Sequence, residues 1–330
     1  MRFGIAGLGR MGANLARSAM ESGHEVVGYD RNYQRTRKLA EHGLEGATSP
    51  EDLVKRIPEP RVVLMYLPHG RSTEEMCRQL RELLAPGDIT VDGGDSHWAD
   101  SQRRHDYFAE RAIRFIDLGT SGGLAGARHG ACFMAGGTAG AYKRIEPLLT
   151  DLAFDEHATI HVGEPGSGHF AKLIHNAIEF GMVQAIAEGV EMLERSEFQL
   201  DPSRLLENWA HGSVIRSWLV ELMSEALREP EEDLARLATY VEDTGEVKWV
   251  LDWALERDIP SPVVSGSQQA LMSYRDLGWP AAKAVALLRH AFGGHPLHTT
   301  AEKLVRSDPP RLWPEQRARR GAVAPVGQAR

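Results

Sequence analysis

Lys172, His175, Asn176 and Glu179 are the side chains in this sequence best suited to acid-base work on a polar ligand, and they recur at i, i+3, i+4 and i+7. At 3.6 residues per turn, that spacing lines them along one stripe of a helix. The residues between them, Leu173, Ile174, Ala177 and Ile178, are apolar, as is Phe180 just beyond. The helix is therefore expected to be buried, with its polar stripe turned inward onto a cleft. A lysine and a carboxylate carried into apolar surroundings are costly unless they pair, change protonation state or meet a ligand. A Lys–Glu pair that merely locks two helices together would satisfy the same pattern, so the rest of the chain has to decide.

The elements that must position this stripe begin at the N-terminus. Residues 2–6 are a short apolar run, followed by Gly7-Leu8-Gly9-Arg10-Met11-Gly12 and then a helical pattern to Met20. Strand, glycine turn and helix form the context in which GxGxxG marks a dinucleotide site, with the pyrophosphate resting on the helix N-terminus. A second strand, 24–29, ends at Asp30, close to the spacing expected of the acid that binds a ribose diol. Its carboxylate would accept hydrogen bonds from a 2′-hydroxyl and repel a 2′-phosphate, which favours NAD. Arg31 beside it is suited to that phosphate, so NADP stays open.

Further apolar strands are expected at 61–67, 88–92 and 114–118, separated by helical stretches at 73–84 and 101–111. This alternation is the rhythm of a parallel, doubly wound α/β sheet of the Rossmann type. Ligands of such sheets sit beyond the carboxyl ends of the strands. Those ends here carry Leu67-Pro68, then Gly93-Gly94-Asp95-Ser96, then Ser121-Gly122-Gly123. A last pair of strands at 131–135 and 158–162 closes the sheet. The breaker cluster Gly163-Glu164-Pro165-Gly166-Ser167-Gly168 leads into the helix of the polar stripe, which is expected to run to about Ser196.

Beyond it the pattern is helical only. The expected organisation is a Rossmann domain at 1–165, an all-α domain at 166–305 and a flexible, Arg-rich tail at 306–330. The formal net charge of −8 argues against a nucleic-acid or anionic-membrane binder. No apolar run reaches the length of about 20 residues that spans a bilayer, and no signal sequence opens the chain, so a cytosolic protein is expected. The two cysteines, Cys77 and Cys132, are read as reduced packing residues. The 14 histidines show no metal-ligand spacing, and no metal is expected.

Taken together, Asp92-Gly-Gly-Asp-Ser96, Ser121-Gly-Gly123, His169-Phe-Ala-Lys-Leu-Ile-His-Asn176 and Arg289-His-Ala-Phe-Gly-Gly-His295 resemble the decarboxylating 6-phosphogluconate dehydrogenases. These lie within the β-hydroxyacid dehydrogenase superfamily, and the length resembles their short bacterial form. The resemblance implies oxidation and decarboxylation of 6-phosphogluconate, with another 3-hydroxy acid, such as 3-hydroxyisobutyrate or an unphosphorylated sugar acid, as the alternative. It implies Lys172 as the base and Glu179 as the second acid. It also implies Asp95, Ser121, Gly122, Gly123, His175 and Asn176 as substrate contacts. Arg289 and His295 would reach the substrate from a neighbouring subunit, so the active site would be shared in a homodimer or homotetramer. Three positions depart from the pattern: Asp95 stands for an asparagine, Phe180 for a tyrosine, and Thr244 for a phosphate-binding lysine of the long forms. Lys248, Arg275 and Arg289 are candidates to take over the phosphate.

Overall fold

The structure, a computed structural model, describes residues 1–229, 234, 237, 239–275 and 280–293. Its first unit, Met1–Arg275, is built on an eight-stranded sheet; its second is represented by a single helix. The strands are β1 (Arg2–Ala6), β2 (Glu25–Tyr29), β3 (Glu45–Gly46), β4 (Val62–Met65), β5 (Ile89–Asp92), β6 (Arg114–Ser121), β7 (Cys132–Gly137) and β8 (Thr159–Gly163). Their order is β3-β2-β1-β4-β5-β6-β7-β8. The chain reverses direction across the sheet between β1 and β4, the crevice where a doubly wound sheet binds its ligand.

Why both faces are covered follows from the alternation of side chains. Phe3, Ile5, Val26, Val62 and Leu64 point into one apolar cluster with the helices α1 (Arg10–Glu21) and α7 (Ala139–Leu152). Ala6, Val27, Val63 and Met65 point into another with α3 (Pro50–Lys55), α4 (Arg71–Leu83) and α5 (Trp98–Ala109). Strands buried on two faces read as unbroken apolar runs, and each large side chain so buried contributes about 1.5–3 kcal/mol.

The sheet is not wholly parallel, as the strand–helix rhythm had led one to expect. β7 pairs antiparallel with β6, Ser121 opposite Cys132 and Ile116 opposite Gly137. Only the short helix α6 (Gly123–His129) joins them, too little chain for the crossover that a parallel partner requires. Cys132, read as a packing residue, is exposed there, whereas Cys77 is buried.

The helix of the polar stripe, α8, spans Ser167–Glu194. It has no side-chain cap of its own. Instead Asp117, fully buried on β6, accepts hydrogen bonds from the backbone N–H of Gly166 (2.7 Å) and of His169 (2.9 Å). A carboxylate at a helix N-terminus is favourable electrostatically. The first half of α8 packs through Leu173 and Ala177 on Val247 and Val250 of α11 (Glu246–Leu255), and Phe180 of α8 itself and Val264 of α12 (Pro262–Ser273) join the same cluster. The second half packs through Val190 on Leu206 of α9 (Pro202–Ala210) and Val220 of α10 (Trp218–Ala226).

The expectation of a fully buried helix needs correction. Lys172 is 6% exposed and Leu173 is covered, but Ile178 is 58% exposed and Met182 and Val183 also face outward. The remaining helix, α13 (Pro280–Gly293), lies in the second unit. The tail at 306–330 lies outside the described residues, as do residues 294–305. Among the described residues, no helix is long and apolar enough to cross a membrane.

Candidate active site

A cavity of about 600 Å³ runs along the carboxyl ends of the central strands. Of the residues read as cofactor contacts, Gly7, Gly9, Arg10, Met11, Gly12, Asp30, Arg31, Leu67 and Pro68 all line it. Gly12 is required by packing: a Cβ there would lie 2.0 Å from the Gly7 carbonyl oxygen. Gly9 is different, since a Cβ would meet nothing within 4 Å and would project into open space. That is the surface on which a pyrophosphate fits, above the N-terminus of α1. Leu8 does not line the cavity; its backbone N–H donates to Asp30 Oδ2 at 2.8 Å.

Asp30 itself is 5% exposed. Its second oxygen accepts from the Asn32 N–H at 2.8 Å, and the Arg35 guanidinium lies 3.4 Å from Oδ2. Arg35 was not foreseen from the sequence; it lies one turn beyond Arg31, and both line the ribose end of the cavity. The other end is formed by Tyr66, Gly93, Gly94, Asp95 and Thr120. Tyr66 was also missed. Its hydroxyl meets Thr120 Oγ1 at 3.0 Å, and burial pushes its phenol far above the ordinary range, so it stays protonated.

Thr120 joins the cavity to the polar stripe. The next residue, Ser121, bonds through Oγ to His175 Nε2 at 3.0 Å. Lys172 Nζ donates to Asn176 Oδ1 at 2.7 Å and lies 3.5 Å from His175 Nδ1. His175 Nδ1 is 3.3 Å from Asn176 Oδ1 and 3.7 Å from Glu179 Oε2. A proton on Nδ1 lets Nε2 accept from Ser121, which satisfies both sides of the ring. The lysine is thus held by an amide one turn away and not by Glu179, and the structural Lys–Glu lock is not what the stripe forms. His175 and Glu179 are half-exposed, open to a ligand.

The close approach of α8 to β6 rests on Gly119, where a Cβ would fall 2.6 Å from Lys172 Cβ. Gly122 adopts φ 110°, in the left-handed region, and Gly123, with φ 59°, opens α6. Asp95 is a non-glycine residue at φ 55°.

Two family models match the chain: the NAD binding domain of 6-phosphogluconate dehydrogenase over residues 2–163, and the C-terminal domain of the same enzyme over residues 168–270. The chain belongs to the 6-phosphogluconate dehydrogenase family. It is 41% identical over 297 residues to the Bacillus subtilis protein YqeC, provisionally named a 6-phosphogluconate dehydrogenase, covering 89% of this chain and 98% of that one. It is 35% identical over 295 residues to the NAD(+)-dependent, decarboxylating 6-phosphogluconate dehydrogenase of Haloferax volcanii, with the same coverage. The Plasmodium falciparum 6-phosphogluconate dehydrogenase superposes with a TM-score of 0.77 at 25% identity, over 92% of this chain and 67% of that one. A 3-hydroxyisobutyrate dehydrogenase of Mycobacterium tuberculosis shares the fold at a TM-score of 0.65 and 23% identity.

Lys248 and Arg275, read from the sequence as phosphate candidates, converge instead on the buried carboxylate of Asp243, at 2.5 Å and 3.8 Å. Burial alone would raise the Asp243 carboxyl, but the Lys248 ammonium and the Gly245 N–H outweigh it and hold the carboxyl below its usual range. Arg289 is exposed on α13, and His295 lies outside the described residues.

Proposed function

We propose that this chain oxidises 6-phospho-D-gluconate and decarboxylates it to D-ribulose 5-phosphate and CO2, with reduction of NAD. The observation that carries the reading is the placement of Lys172. Its amine is buried and bonded to Asn176, beside the Ser121–His175 pair, and Ser121 directly follows Thr120, which lines the dinucleotide cavity. A bound nicotinamide supplies the acceptor for a hydride from substrate C3. Lys172, as the neutral amine, takes the C3 hydroxyl proton as that hydride leaves. The 3-keto acid then loses CO2, and the protonated lysine donates to the developing enolate oxygen. Glu179, on the same stripe and half-exposed, protonates C1 of the resulting enediol. Ser121, His175 and Asn176 orient the sugar acid.

The preference for NAD rests on the buried Asp30 carboxylate, and the Haloferax relative carries the same cofactor in its name. Arg31 and Arg35 at the same end oppose that preference. A second reading is favoured by the Asp243 pairs: with Lys248 and Arg275 both directed to a carboxylate, an unphosphorylated sugar acid or another 3-hydroxy acid becomes the rival substrate. Initial rates with 6-phosphogluconate and with gluconate, under NAD and NADP and with CO2 release followed, separate these. Turnover of gluconate but not of its phosphate would overturn the primary reading.

We also propose that two copies share the site, in a homodimer or a higher assembly. The outward-facing Ile178, Met182 and Val183 on α8 support it. A monomer by sedimentation at assay concentration would count against it.

A further inference from the structure

Arg104, on α5, is a cation with 1% of its side chain exposed, and no step described above uses it. Its guanidinium is divided between two carboxylates. Nη1 donates to Asp92 Oδ2 at 2.8 Å, while Nε and Nη2 donate to Glu74 Oε1 at 2.9 and 2.7 Å. A charge buried this deeply is retained only when geometry is good and every donor is used.

Both carboxylates lead to the wall of the cavity. Asp92 ends β5 and is fully buried. Its Oδ1 accepts from the Gly94 N–H at 3.0 Å, and its Oδ2 from the Ser96 hydroxyl at 2.9 Å. The residues on either side of Asp95 are therefore both tied to Asp92. Asp95 between them is held at φ 55°, a conformation that persists only where its surroundings over-determine it. Glu74 lies in the first turn of α4, directly after the loop that begins with Leu67-Pro68, and Thr73 Oγ1 donates to the Pro68 carbonyl at 2.9 Å. One guanidinium thus links the loop after β4 to the turn after β5. Both loops line the cavity at the end opposite Asp30, where a dinucleotide lying on the glycine turn would place its nicotinamide.

We propose that Arg104 is a positioning residue that holds the Asp95 turn against the nicotinamide end of the site, acting through Asp92. The proposal rests on reading the cavity as a dinucleotide site but not on the identity of the sugar acid. Misplacement of that turn would loosen whatever contacts the nicotinamide and leave the adenosine end alone.

The test is a binding comparison on the whole protein with two variants, Arg104→Lys and Ser96→Ala. The ligands are whichever of NADH or NADPH binds the wild type more tightly, and the matching ADP-ribose, which lacks the nicotinamide. The expected result is at least about a fivefold weakening for the dinucleotide in both variants, with ADP-ribose within about twofold of wild type. Equal weakening of both ligands, or no change for either, would overturn the proposal. If Arg104→Lys does not fold, Ser96→Ala, which removes one hydroxyl, decides alone. A wild type that binds no dinucleotide takes down the cofactor reading and this proposal with it, a result distinct from tight wild-type binding with unaltered variants.

Discussion

Nζ of Lys172 donates to Asn176 Oδ1 at 2.7 Å, one turn further along α8. An amide aims the amine without adding a charge beside it, so the lysine is oriented but not fixed as an ammonium by its partner. Asn176→Asp would keep the shape and add a carboxylate that favours the protonated lysine. Activity at neutral pH should fall about tenfold. Activity equal to wild type would count against Lys172 as the base.

Lys172→Met tests the same residue from the other side. It should remove oxidation and decarboxylation together, with turnover down by at least about a thousandfold. Cofactor affinity should stay within about twofold, since the glycine turn and Asp30 are untouched. Near-normal turnover would defeat the assignment.

How far the sequence carries such a reading depends on whether a signal is periodic or relational. The strand–turn–helix opening, the central apolar strands and the stripe from Lys172 to Glu179 are local patterns; the structure forms the first two along the cavity and the stripe on α8, where His175 bonds to Ser121. The two-residue β3 has too little length to show any alternation. The antiparallel turn of β7 depends on the length of the link before it, which the apolar run does not reveal. Asp92 and Asp117 were legible in principle, because an acid inside an apolar strand must find partners when buried. Their partners, Arg104 and the start of α8, come from distant segments and could not be named.

Gly119 is one such relational residue. A methyl there would fall 2.6 Å from Lys172 Cβ and 2.9 Å from the Gly168 carbonyl oxygen, so α8 would have to lift off β6. Gly119→Ala should destabilise the protein by about 1–3 kcal/mol in urea titrations and displace the lysine, lowering kcat. Unchanged stability with unchanged kcat would mean that the helix seats more loosely than this contact implies.

Asp117→Asn exchanges one carboxylate oxygen for an NH2 group at nearly constant volume. The amide must turn its NH2 toward the N–H of either Gly166 or His169, leaving a buried donor facing a donor. Loss of the charge-assisted bond should cost about 1.5–3 kcal/mol of stability. Denaturant midpoints with an unchanged slope would report it, and an unshifted midpoint would remove Asp117 as the cap of α8.

His97 makes stability depend on pH. It is the N-cap of α5: its Nδ1 accepts from the Ala99 N–H at 3.1 Å, and its ring stacks on Trp98 with centroids 3.9 Å apart. Burial lowers its pKa below the ordinary histidine value, and the Asp100 carboxylate pulls the other way with less effect. Between the lowered folded value and the ordinary unfolded one, the unfolded chain binds more protons, so stability rises with pH there. The contribution is present above the unfolded value and is lost as the pH falls through the folded one. His24, also lowered chiefly by burial, acts in the same direction. Thermal midpoints should therefore drop between about pH 7.5 and about pH 5. His97→Asn supplies a non-titrating cap acceptor, and its drop over that interval should be smaller than that of the wild type. An equal drop in both proteins would place the acid sensitivity elsewhere than at the α5 cap.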